Sequence, residues 1–305
     1  RFIDPAPNGW DLARDPGYVV VTQAAALAGR AIPVARGPRM PLAHSADDAR
    51  GAPLTEQAGI ELVLSVLAAA PKPVTVSMVG SARVLVAAYN RAPELVQERV
   101  GAVLLNAGST VGGEKEWNVG LDAEAFKGLW RSGLPVCWYP CATQNGAFDP
   151  LPERGTHWKA THAALFEGIP AAWRGWFAYG LSGSARGDFI RAMSDMGRGA
   201  VWENLMAGSR AMWSTASLVM ATGRQLVRTE SGWKFLGAEE TARRGLETWP
   251  WRLDRIRAEV DDLGNVQWAP TEEMSNTSLF GRQPGIDYGA AMTEALNALF
   301  RTLPE

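Results

Sequence analysis

The stretch from Gly101 to Cys141 limits the fold more than any other part of the chain. Gly101-Ala-Val-Leu-Leu-Asn-Ala-Gly108 is a short apolar run ending in small residues. That is the pattern of a buried parallel strand opening into a loop at its carboxyl end. A polar motif, Glu116-Trp-Asn-Val-Gly-Leu-Asp122, follows. Asp122 is placed to cap a helix over Ala123 to Ser132, in which Phe126, Leu129 and Trp130 share a face and Gly133 ends the last turn. Leu134 to Tyr139 is the next strand. Strand, helix and strand in this order form a right-handed crossover, and ligands of such open sheets collect at the carboxyl ends of the strands. The loop carrying Glu116 and Asn118 therefore lies where a site is expected.

The rest of the amino-terminal half repeats the alternation. Residues 1 to 17 are an irregular, proline-rich lead-in, and Tyr18 to Ala28 is an alanine-rich helix stopped by Gly29. Ile32 to Gly37 is expected as a short strand, and Thr55 to Ala70 as a helix with Ile60, Val63, Leu64 and Leu67 on one face. Val74 to Val79 is a strand and Val84 to Asn90 a helix, after which Pro93 to Arg99 leads into the central strand. The order implies a mostly parallel, open sheet flanked by helices, with Rossmann-like topology. From Ala142 onward the pattern turns mainly helical and rich in tryptophan. Trp251 to Val260 is expected as an amphipathic helix, Asn265 to Trp268 as a strand and Ile286 to Thr302 as a closing helix. One domain over residues 1–305 is expected: an α/β sheet part, 1–141, and a mainly helical part, 142–305, that closes the core.

Composition removes some classes of function. A net charge of −2 leaves no basic footprint for nucleic acid. No apolar run approaches the roughly 18 to 20 residues that span a bilayer. Cys137 and Cys141 are the two cysteines, about 13 Å apart if the chain between them is extended, so they are expected as free thiols. The first residue is Arg1 rather than Met, which favours a processed, exported or periplasmic protein over a cytoplasmic one. Thirteen tryptophans are the compositional anomaly; they suit core packing or an aromatic surface for a protein partner.

From Ile32 to Cys141 the chain resembles the nucleoside hydrolases, which cleave the N-glycosidic bond of ribonucleosides with a calcium ion held by aspartates. Ile32-Pro-Val-Ala-Arg-Gly37 is similar to the family's I-P-V-Y-x-G, and Val74 to Ala88 to the strand and helix around L-G-P-L-T-N-I-A. Leu104-Leu-Asn-Ala-Gly108 stands in place of L-M-G-G, and Glu116-Trp-Asn-Val-Gly-Leu-Asp122-Ala-Glu-Ala125 resembles E-F-N-x-x-x-D-P-E-A. The resemblance implies that Glu116 and Asn118, with Asn106 at the strand end, bind a ribose-containing ligand; a carboxylate and a carboxamide together suit vicinal hydroxyls.

The departures bear on chemistry. The family's D-x-D-x-x-x-D-D cluster is absent from this chain; Asp4, Asp11 and Asp15 are differently spaced, and Asp47-Asp48 and Asp261-Asp262 read as solvated pairs. The threonine whose carbonyl helps to bind the metal corresponds to Arg83, and the late H-D motif to Met212-Trp-Ser-Thr215. Calcium takes six to eight oxygens, which these residues do not supply. No metal site and no cofactor are expected, calcium entering only if an aspartate cluster lies upstream. His157 and His162 are the remaining candidates for a catalytic acid, five residues apart and without zinc spacing. The expectation is a catalytically degenerate structural or binding subunit of a protein assembly, meeting its partner through the Trp-rich helical part. The alternative is an active metal-dependent N-ribohydrolase whose aspartate cluster lies upstream of this chain.

Overall fold

The computed structural model describes residues 16–112, 116–149, 153–182, 188–249 and 251–305. Helix α1 (Pro16–Leu27) is followed by an irregular segment, then α2 (Leu54–Ala69), β1 (Val74–Met78), α3 (Arg83–Arg91), α4 (Pro93–Arg99) and β2 (Val100–Asn106). Next come α5 (Trp117–Leu121), α6 (Ala123–Arg131) and β3 (Val136–Tyr139). After them stand β4 (Trp158–Thr161), α7 (His162–Phe166), α8 (Ala171–Leu181), α9 (Phe189–Met196), α10 (Gly199–Met206), β5 (Ser209–Met212) and α11 (Thr215–Ala221). The hairpin β6 (Arg224–Thr229) and β7 (Gly232–Gly237), α12 (Ala238–Arg243), β8 (Trp251–Val260), β9 (Val266–Pro270), β10 (Thr277–Arg282) and α13 (Tyr288–Phe300) complete the chain. No helix among the described residues is long and apolar enough to cross a membrane.

The core sheet has six strands in the order β1-β2-β3-β10-β8-β9. The first four run parallel, and β8 and β9 add an antiparallel edge. The end of β2 is buried on both faces, which is why its sequence is an unbroken apolar run rather than an alternating one. Val103, Leu105, Val136, Trp138, Leu279 and Ile256 face one core, packed under α2, α3 and α6. Leu104, Tyr139 and Phe280 face the other way, against Ala216 of α11. A second large core gathers α1, α7, α8, α13 and the β6–β7 hairpin around Trp158, Phe166, Trp173, Phe177 and Met292. The α/β architecture with a mostly parallel open sheet is as the sequence implies.

Three elements correct the sequence reading. Ile32 to Gly37 is not a strand: the Arg36 carbonyl accepts a 2.6 Å hydrogen bond from Gly59 N–H, and a Cβ at Gly59 would sit 2.8 Å from that oxygen. The segment is thus pressed onto α2, and β1 becomes the sheet edge. Trp251 to Val260 is strand β8 rather than a helix, and with β9 and β10 it supplies half of the sheet from beyond residue 142. Pro93 to Arg99, read only as a lead-in, is a helix with proline in its first turn. Asp122 caps α6 as expected, its Oδ1 accepting from Ala125 N–H at 2.9 Å.

Candidate functional site

Because β1, β2, β3 and β10 are parallel, their last residues Met78, Asn106, Tyr139 and Arg282 end on one margin of the sheet. The three residues expected to hold a ribose meet there. Glu116 is buried and caps α5, its Oε2 accepting from the N–H groups of Gly108 at 2.9 Å, Asn118 at 3.0 Å and Val119 at 3.3 Å. Gly108 makes that approach with φ +81°, a left-handed conformation suited to glycine. Burial pushes the Glu116 carboxyl above the usual carboxylate range, and the backbone N–H groups pull it back in part. Asn118 Nδ2 donates to the Asn106 carbonyl at 2.8 Å. The Asn106 side chain, fully buried, donates to the Met78 and Leu104 carbonyls, and its Oδ1 lies 2.8 Å from the Ser217 hydroxyl of α11.

Beside this triad stands a charged network that the sequence only hinted at. The Arg83 guanidinium is ringed by four oxygens. Nε donates to Asp122 Oδ2 at 2.8 Å, Nη1 to the Pro38 and Arg39 carbonyls at 2.8 and 2.6 Å, and Nη2 to the Leu121 carbonyl at 2.9 Å. Asp122 is fully buried and also accepts from Leu42 N–H at 2.9 Å. One carboxylate therefore caps α6, neutralises Arg83 and ties down the loop ahead of α2. Among the described residues no group of three or more His, Cys, Asp or Glu side chains could hold a metal ion. Asp4, Asp11 and Asp15 lie outside the described residues. The oxygens that surround Arg83 fit a guanidinium, and the residues present do not fit a calcium ion.

The histidines are not brought together. His157 is boxed by Phe148 and Trp213, with ring centroids 5.6 and 5.2 Å away, and neither ring nitrogen has a hydrogen-bond partner among the described residues. Burial, helped by the charge of Arg282, pushes its pKa down. His162 opens α7 in the second core, its Nδ1 2.7 Å from the Leu205 carbonyl, and burial lowers its pKa too. Arg282 and Tyr288, absent from the sequence reading, stack at the end of β10 with the guanidinium carbon 4.0 Å from the ring centroid. The late segment Met212 to Thr215 joins the end of β5 to the start of α11, whose Ser217 reaches the sheet margin in place of an acid. No signal in the sequence links Ser217 to Asn106, 111 residues away.

Most of the described tryptophans are half-buried, and three are buried. Trp138 and Trp158 are fully buried, Trp173 donates to the Pro304 carbonyl and Trp176 to that of Val20. Trp117 is the exposed one among the described residues, at 71%. Both cysteines are free thiols; Cys141 is buried, which pushes its pKa well up.

No protein-family model matches the chain, and no curated protein matches it by sequence. By structure it is similar to a purine-preferring ribonucleoside hydrolase from Gardnerella vaginalis, with 14% identity and a TM-score of 0.37 over 79% of this chain and 66% of that one. This chain therefore spans just under two thirds of that hydrolase. It is also similar to the plant nucleoside hydrolase PpNRh1, with 14% identity and a TM-score of 0.45 over 94% of this chain and 86% of that one. A third likeness is to the type III effector protein XopQ complexed with adenosine diphosphate ribose, with 15% identity and a TM-score of 0.45 over 94% and 79%. Such low identities and TM-scores transfer no residue role. Each role comes from the geometry above.

Proposed function

We propose that the protein is a nucleoside-hydrolase-like scaffold that has lost hydrolase chemistry and acts as a structural or binding subunit of an assembly. The observation that carries this reading is Arg83. Its fixed positive charge, held by four protein oxygens, stands where the resemblance implies a carbonyl ligand of calcium. A divalent cation beside that guanidinium would meet like charge and find too few oxygens. The bonds of Glu116 Oε2 to backbone N–H groups, of Asn118 Nδ2 to a carbonyl and of the Asn106 side chain to carbonyls and Ser217 support the same reading, because a sugar that used these atoms would have to displace those partners. Among the exposed apolar residues that a protein partner would meet beyond residue 142 are Ile190 and Val201, on α9 and α10, and Phe148 and Leu218.

The test is a panel of inosine, adenosine, uridine and cytidine with the full chain, read as free base, beside a calorimetric calcium titration. No base release and no calcium heat are expected. Calcium-dependent release, or calcium binding at micromolar concentration, would overturn the proposal in favour of a metal-dependent N-ribohydrolase.

A further inference from the structure

A cavity of about 490 Å³ opens in the second core, far in sequence from the Glu116 loop, between α7, α8, α11 and α13. Its wall is aromatic: Phe166 and Phe177 lie 4.4 Å apart by ring centroid, and Phe300 lies 5.2 Å from Phe177. Val219 and Leu296, both buried, add branched aliphatic surface. Its size falls within the range of small-molecule sites, which are mostly apolar with a few placed polar groups. Leu218 and Arg224 are exposed at its rim.

One charge stands in this lining away from open solvent. Arg210, on β5, is half-buried, and no hydrogen bond or ion pair reaches its guanidinium among the described residues. Burial displaces its pKa downward, and no carboxylate among the described residues opposes that shift. Burying a cation costs free energy unless an anion answers it. An apolar chamber with one unanswered cation is complementary to an amphiphile that has one anionic head.

We propose that this cavity binds a medium- to long-chain alkyl carboxylate, with the carboxylate on Arg210 and the chain against Phe166, Phe177 and Phe300. This site is separate from the sheet margin and does not depend on whether the protein hydrolyses nucleosides.

The experiment is calorimetric titration of the full chain with dodecanoate, dodecanol and dodecylamine below their aggregation concentrations. Dodecanoate is expected to bind one molecule per chain, at least tenfold more tightly than the alcohol, and the amine no better than the alcohol. Decanoate should bind about tenfold more weakly than dodecanoate, as loss of two buried methylenes requires. In Arg210→Gln the preference for acid over alcohol should vanish while the alcohol binds as before. Equal binding of acid, alcohol and amine, no binding of any of them, or an acid preference that survives in Arg210→Gln would overturn the proposal. The ligand series on the unaltered chain decides the matter even if the variant does not fold.

Discussion

The sheet margin and the chamber in the second core treat polar groups in opposite ways. At the margin, Arg83 and Asp122 bond each other and the backbone, Glu116 Oε2 and Asn118 Nδ2 are held by backbone groups, and the Asn106 side chain is held by backbone carbonyls and Ser217, so these atoms are answered within the fold. In the chamber, the half-buried Arg210 meets apolar walls with no answering group among the described residues, and Arg224 stands exposed at the rim. The first arrangement fixes a structure; the second leaves free energy for a ligand to collect. Resemblance of sequence points to the margin as the place of chemistry, whereas the physical capacity for binding lies in the chamber.

The largest test of that contrast compares two substitutions of charged residues. Asp122→Ala removes the cap of α6 and leaves Arg83 Nε, Leu42 N–H and Ala125 N–H without their acceptor. A loss of about 3–5 kcal/mol in urea unfolding is expected, as when one partner of a buried ion pair is removed. Arg210→Gln deletes a charge that has no partner among the described residues, and its stability should change by less than about 0.5 kcal/mol or improve. Equal losses in the two variants would erase the distinction between a closed network and an open one.

A smaller effect comes from His157, the exception to closure near the margin. Its folded-state pKa lies below the ordinary 6.5, so the unfolded chain binds the proton more readily. The stability contributed by the neutral ring is present above pH 6.5 and is lost as pH falls from there through the lowered value. His162 acts in the same direction. Glu116 acts oppositely: its raised pKa gives a contribution that is complete below 4.5 and declines as pH rises through the folded value. In His157→Phe, the acid-side fall in stability between pH 6.5 and 5 should be shallower than in the unaltered chain, measured by urea unfolding at stepped pH. An unchanged slope would show that the aromatic box does not hold the ring neutral.

What the sequence displayed and what it hid divide along the same physical line. The cap at Asp122 was legible because a cap is local, bonding three residues onward. The carboxylate's second partner, Arg83, lies 39 residues away, and only the resemblance drew attention to that position. Strand β8 was misread because Leu253, Ile256 and Val260 fall at helical spacing among charged residues. In the sheet, Leu253 packs on one face and Ile256 and Val260 on the other, a division that periodicity on one face cannot reveal. The chamber left no trace, since Phe166, Phe177, Arg210 and Phe300 come from four separate elements.

The smallest effect is expected at Trp117, and it bears on what the margin presents to solvent. Trp117 begins α5 between Glu116 and Asn118, yet 71% of it is exposed, while Trp138 of β3 is fully buried and donates to the Ala107 carbonyl at 2.7 Å. Removing the buried indole leaves a cavity and an unpaired carbonyl, so Trp138→Ala should cost about 3–5 kcal/mol. Trp117→Ala should stay within about 0.5 kcal/mol in the same urea titration. A near-neutral result would mean that the margin is closed by its polar network and carries the exposed ring at no benefit to the fold. A loss above about 1 kcal/mol would instead make the indole part of what closes the margin, and the hydrogen bonds of Glu116 and Asn118 would no longer suffice to explain its rigidity.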